Sequence, residues 1–241
     1  MLRKIFAFLV LVCMLPVAGK SQALIALLVG DKIKSDKIGL GLLLCEQSSF
    51  ISDAETAAFH HNPGLGIGAY VDVRIGGNDK WILQNYLLFK APKGAAGLDV
   101  AGESFPVNPL LTENMDRLKR NLTYIQLTPV MRYCFTPSWS LGIGPYIGFL
   151  TSGFDTYSAT MDNGALSHQM KVSSNLNPVD VGAAIDLQYR ILKGKGVQLN
   201  LRFEQGMVNV YRKDTGKSGF NRAFHFGVGI PMAGDKKQDG N

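Results

Sequence analysis

Acid-base or metal chemistry in this chain would have to be built on four histidines, His60, His61, His168 and His225. The pair His60-His61 stands near Ser48, Ser49, Ser52, Asp53 and Glu55, the residue types of a serine nucleophile with a base and a carboxylate behind it. Such residues also populate any polar loop, their spacing does not hold them together, and two adjacent histidines do not make a ligand set. No catalytic residue, metal or cofactor is assigned. The glycines Gly64, Gly66 and Gly68, and Gly142, Gly144 and Gly148, resemble phosphate loops only superficially. Neither group keeps the Gly-x-Gly-x-x-Gly spacing between a strand and a helix.

The charged residues are better explained by the elements that must carry them. Leu65, Ile67, Ala69, Val71 and Val73 alternate with Gly66, Gly68, Tyr70, Asp72 and Arg74, and Val181 to Tyr189 repeat the pattern around Gly182, Ala184, Asp186 and Gln188. A period of two with one oily face is the signature of a β-strand. Eight such runs are predicted: 38–46, 64–74, 81–90, 122–135, 139–150, 179–192, 197–207 and 220–230. Gly76-Gly77-Asn78-Asp79, Thr136-Pro137-Ser138 and Lys193-Gly194-Lys195-Gly196 are tight turns. The other connections are loops of roughly seventeen, thirty, twenty-eight and twelve residues, well beyond hairpin length.

Short turns at one end and long loops at the other describe an all-β fold: an eight-stranded antiparallel up-and-down transmembrane β-barrel, with short periplasmic turns and long extracellular loops. The aromatic residues agree. On the oily face Trp81, Tyr133, Phe135, Trp139 and Tyr189 fall beside the short turns, and Phe89, Phe149, Phe203 and Phe224 beside the long loops. Two belts separated by aliphatic residues are what the two interfaces of a bilayer select. The other face then looks inward. It carries Asp72, Arg74, Gln84 and Lys90 on the early strands, Gln126 and Arg132 on the fourth, and Asp186, Gln188 and Arg190 on the sixth. Asn200, Arg202, Glu204 and His225 complete it. Eight strands enclose a space about wide enough for side chains, so these residues are expected to form a polar network that fills the interior. Folding the last short hairpin sets Asp186 opposite Arg202, and the hairpin at Thr136 to Ser138 sets Gly142 opposite Arg132, where glycine leaves room for the guanidinium.

The N-terminus fits export. Arg3 and Lys4 precede the apolar stretch Ile5 to Val17, and Ser21-Gln22-Ala23 offers small residues for cleavage, so residues 1–23 read as a signal peptide. Its removal takes three cations and no acid, lowering the formal charge from +6 to +3. Residues 24–37 lead from the periplasm into a single barrel domain, 38–230, and residues 231–241 form a polar periplasmic tail. Only Cys45 and Cys134 remain in the exported chain, too few for a disulfide framework.

The segment Ala23-Leu24-Ile25-Ala26-Leu27-Leu28-Val29-Gly30-Asp31-Lys32-Ile33, followed by barrel strands to Ile230, resembles the PorT-like outer-membrane barrel family of the Bacteroidota. That resemblance implies a cell outer membrane location, a strand number like that of OmpA-type barrels, and a link to secretion across the outer membrane. It carries over no catalytic or binding motif. The expected protein is a monomeric, non-enzymatic barrel surrounded by outer-membrane lipids, with a protein partner, and not a nucleic acid, meeting the loops Ala91 to Asn121 and Thr151 to Pro178. Within the first of these, Asn114 to Arg120 mixes apolar and charged residues as a short helix would. A narrow channel and a lipid-modifying enzyme are the alternative functions.

Overall fold

The computed structural model of the chain describes residues 38–53, 61–76, 80–98, 115–161, 164–194 and 196–232. The predicted signal peptide and lead-in segment, most of the predicted tail, and the side chains of Glu55 and His60 lie outside these residues. Contacts divide the chain into Met1–Ile38 and Gly39–Asn241, and the barrel belongs to the second unit.

The alternating runs form strands β1 (Ile38–Asp53), β2 (Asn62–Ile75), β3 (Trp81–Leu98), β4 (Met115–Cys134), β5 (Trp139–Met161), β6 (Gly164–Lys171), β7 (Val179–Arg190), β8 (Gln198–Asn209) and β9 (Gly219–Pro231). They make one sheet in the order β4-β3-β2-β1-β9-β8-β7-β5-β6, and a further pairing of β4 with β5 closes eight of them into a ring. The ninth strand, β6, pairs only with the far end of β5 and extends the wall there (Phe154 to Met161 against Lys171 to Gly164). Closure between the first and last strands pairs Gly41 with Pro231 through to Asp53 with Gly219.

The predicted strands are all present, but the wall continues well past their predicted ends at the long-loop side. Much of what reads as loop in the sequence is ladder. The segment predicted as a short helix at Asn114 to Arg120 is instead strand from Met115 onward, with Lys119 opposite Thr156 and Arg120 opposite Asp155. Within it Leu118 and Arg120 are buried on one face of the strand and Lys119 is exposed on the other. The loop predicted from Thr151 to Pro178 likewise contains the end of β5, all of β6 and a short 3-10 turn at Ser173–Asn175. The stretch predicted as a tight turn at Lys193 to Gly196 begins with one helical turn, α1 (Ile191–Gly194), entered directly from β7.

A bulge changes the geometry of β3. Leu88 pairs with Gln126 and Ala91 with Tyr124, so β3 spends one residue more than its partner between these points. Even-numbered residues face inward up to Leu88, Phe89 and Lys90 are both exposed, and odd-numbered residues face inward from Ala91. Lys90, predicted to face the interior, therefore points out, and Lys93 takes the inward place. A second register shift, at Thr123/Tyr124 against β5, turns Gly153, Asp155 and Tyr157 inward in the same way.

Glycine is required where the interior is tightest. A Cβ on Gly41 would lie 2.2 Å from the Tyr70 ring, which is buried. Gly41→Val is expected to lower unfolding stability by about 1–3 kcal/mol through overpacking. A urea titration of the refolded barrel checks this, with a fall in the midpoint and an unchanged slope as the result.

Candidate functional site

The interior is the site that the strands build. At the short-turn end Arg190 donates to Asp72 (Nη2 to Oδ2, 2.6 Å) and to the Gln188 side-chain oxygen (2.8 Å). Arg74, on the same strand as Asp72, is only half-buried and has no hydrogen bond into the network. The amides of Gln84, Gln188, Gln198 and Asn200 follow: Gln84 donates to Gln198 (2.9 Å) and Gln188 donates to Asn200 (2.9 Å) and to Gln198. Tyr86 donates its hydroxyl hydrogen to Gln84 at 2.6 Å.

The next layer is a charge triad. Asp186 accepts from Arg132 (2.6 Å) and from Arg202 (3.0 Å), and Arg132 also donates to Ser140 (3.2 Å) and to the Tyr86 hydroxyl (3.0 Å). The Arg202 guanidinium lies 3.9 Å from the centre of the Tyr86 ring, a cation–π stack. Ladder register makes this possible, with Asp186 opposite Arg202 and Arg132 opposite Gly142. A Cβ at Gly142 would stand 2.4 Å from Val130 and 3.6 Å from the Arg132 guanidinium carbon, so glycine there keeps space beside the arginine.

Further toward the long loops Lys93 bridges Asp180 (3.0 Å) and Glu204 (3.2 Å), and its ammonium sits 4.0 Å from the centre of the Tyr146 ring. Glu204 also accepts from Gln126 (2.7 Å) and meets His225 at 3.3 Å. Asp180 accepts from Asn221 (3.1 Å) and from the Tyr146 hydroxyl (3.3 Å). Above these, Arg120 grips both oxygens of Asp155, at 2.8 and 2.6 Å. Around that pair the interior turns apolar, with Ile51, Ala95, Leu118, Leu122, Val172, Leu176 and Val210 all buried.

The charges match. Arg190, Arg132, Arg202, Lys93 and Arg120 are each in contact with at least one of Asp72, Asp186, Glu204, Asp180 and Asp155. A balanced, hydrogen-bonded set offsets most of the cost of removing charges from water, while a single unmatched member would not. A cavity beside Leu43, Cys45, Asn200, Arg202, His225 and Gly227 measures about 10 Å³, room for one water molecule. Among the described residues, apolar side chains pack toward the long-loop end and ion pairs occupy the middle.

Of the residues predicted to line the interior, Asp72, Gln84, Gln126, Arg132, Asp186, Gln188, Asn200, Arg202, Glu204 and His225 are buried and Arg190 is nearly so. Lys90 is outside the network. Lys93, Asp180, Arg120, Asp155 and the tyrosines Tyr86, Tyr124 and Tyr146 are members that sequence reading missed. Asp180 was within reach of it, since Asp180 shares the even-numbered face of β7 with Asp186. Of the residues considered for nucleophilic chemistry, His60 and Glu55 lie outside the described residues. Ser49 is buried and donates to the carbonyl oxygens of Gly94 and Asn62 (3.1 and 3.3 Å), while His61 is exposed at the start of β2. Among the described residues no group of three or more His, Cys, Asp or Glu is placed to hold a metal ion. Cys45 and Cys134 are both free.

The outward face is apolar. Trp81 packs on Tyr133 (ring centres 5.0 Å apart) and Trp139 on Tyr189 (4.8 Å) at the short-turn end, with Phe135 exposed beside them. Phe203 packs on Phe224 (4.9 Å) toward the other end, where Phe89 and Phe149 are also exposed. Among the described residues no helix is long and apolar enough to cross a membrane, which says nothing of strands.

A family model for the outer membrane protein beta-barrel domain matches residues 38–212. No curated protein sequence matches. Among solved structures the chain is similar to Ail, the attachment invasion locus protein of Yersinia pestis (9% identity, TM-score 0.41, 82% of this chain and 99% of that one). It is also similar to neisserial surface protein A (11% identity, TM-score 0.37, 80% and 96%) and to the outer membrane protein OprG of Pseudomonas aeruginosa (9%, 0.30, 82% and 97%).

Because Lys93 holds two buried carboxylates, Lys93→Met is expected to destabilise the barrel by about 3–5 kcal/mol, the usual cost of leaving buried charge unmatched. Urea unfolding measures it. The loss should persist when salt is raised to about 1 M, since a buried pair is screened little.

Proposed function

We propose, from the premise that this chain belongs to the outer membrane protein β-barrel domain family, that it is a closed, non-enzymatic barrel working as a structural and binding protein of the outer membrane. Its location in the outer membrane follows from that family. The strands span the bilayer with their apolar faces against lipid, the short turns in the periplasm and the extended β3–β6 walls outside the cell. The PorT-like character suggested by the segment 23–33 extends this reading to a barrel associated with secretion, with protein partners meeting the extracellular ends of β3, β4, β5 and β6.

The observation that carries the closed-barrel reading is the matched interior: five cations against five carboxylates, capped by Leu118, Leu122, Leu176 and Val210. Water-filled passage would require these pairs to separate and the apolar layer to part. An enzyme of the outer rim would need a nucleophile and a base within hydrogen-bond reach, and Ser49 is committed to two backbone carbonyls. Binding is therefore assigned to the rigid outer wall.

The test is electrical. Purified mature protein inserted into a planar lipid bilayer is expected to give no steady ohmic current, with insertion verified by resistance of the strands to added protease. A reproducible steady conductance would replace the closed barrel by the narrow channel.

A further inference from the structure

Leu192 is the most exposed large apolar side chain among the described residues, at 74%. It is also the one non-glycine residue among them with a left-handed backbone, φ 55°. A leucine Cβ is crowded in that conformation, where glycine or asparagine would fit freely, and a leucine surrounded by water gains nothing that offsets the crowding. The turn is nonetheless well fixed. The Ile191 N–H donates to the Val197 carbonyl (3.0 Å), the Gly196 N–H donates back to Ile191 (2.9 Å), and the Arg190 N–H donates to the Ser138 carbonyl of the neighbouring turn (2.7 Å).

That last bond places α1 beside the turn that begins after Cys134, where Phe135 is also exposed, as is Ile191. One ladder position into the barrel, Trp139 stands opposite Tyr189, the stacked pair of the short-turn aromatic belt. Ile191 and Leu192 thus continue the oily outer wall past the aromatic belt, beside its member Phe135. In the sequence Lys193 and Lys195 follow Leu192 closely, a composition suited to the boundary between acyl chains and phosphate headgroups.

We infer that Phe135, Ile191 and Leu192 form an apolar foot that inserts into the headgroup and acyl-chain boundary of the periplasmic leaflet, anchoring the barrel at that depth. This rests on the membrane-spanning reading above. The occupant is lipid because the foot is continuous with the lateral wall that carries Trp139 and Leu141. A docked periplasmic protein is the alternative that the test separates.

The test uses full-length mature chain with Cys45→Ala and Cys134→Ala, refolded into vesicles of phosphatidylcholine with or without brominated acyl chains. A nitrobenzoxadiazole probe is placed in turn by Leu192→Cys, Leu141→Cys on the wall between the belts, and Lys213→Cys on the long-loop side. Leu141 and Leu192 probes are expected to emit to the blue of the Lys213 probe and to lose most of their emission in brominated vesicles. A red, unquenched Leu192 probe beside a quenched Leu141 probe would overturn the foot while leaving the barrel in the membrane. An unquenched Leu141 probe would overturn the membrane-spanning reading itself.

Discussion

Closing eight strands into a ring fixes how much space lies inside, and here that space is occupied by charge. Every inward strand position must hold a side chain, a glycine that makes room for one, or a single water. Once the first arginine is inside, a carboxylate must follow, because a buried charge without a partner is worth several kcal/mol of instability. Arg132 and Arg202 share Asp186, Lys93 is shared between Asp180 and Glu204, and Arg120 and Arg190 each hold one acid. The packing of the interior and the register of the strands around it depend on that matching.

The tyrosines make the matching workable. Tyr86 and Tyr146 present ring faces to Arg202 and Lys93 and hydroxyls to Gln84 and Asp180, so these two cations each meet an aromatic face as well as an anion. Buried pairs of this kind add little net stability compared with apolar packing, but they are directional. A slip of one residue in any strand would turn its whole inward set to the outer face. The network therefore specifies register, and register in turn presents a mostly apolar face outward, with Glu46 and Lys90 exposed among its aliphatic and aromatic residues.

How much of this could be read beforehand depended on where the ladder is regular. Asp186 opposite Arg202, and Gly142 opposite Arg132, follow from short turns and strict alternation, so these two register pairs were legible in the sequence, while the contact of Arg132 with Asp186 across Gly142 was not. Lys93 and Asp155 were not, because each reaches the interior only after a bulge has reversed the parity of its strand. The sequence around them, Pro92-Lys93-Gly94-Ala95 and Gly153-Phe154-Asp155, lacks the bulky alternation that announces a strand. It therefore read as loop. Arg120 was lost for a related reason, since its neighbours Leu118 and Leu122 mark an inward face only once the wall is known to extend that far. The wall is longer than the oily stripe because its long-loop end is packed on an apolar core of its own, with Leu118, Leu122, Leu176 and Val210 buried.

The claim that the interior is held by mutual compensation is tested most directly by a double-mutant cycle on Arg132 and Asp186. Unfolding free energies are measured for the native barrel, Arg132→Leu, Asp186→Leu and the double variant. The account requires the double variant to be less damaged than the two single losses combined, with a coupling of about 1–3 kcal/mol. Additivity to within about 0.5 kcal/mol would contradict it, showing that these groups are tolerated independently and that the barrel is held by its ladder and apolar wall alone.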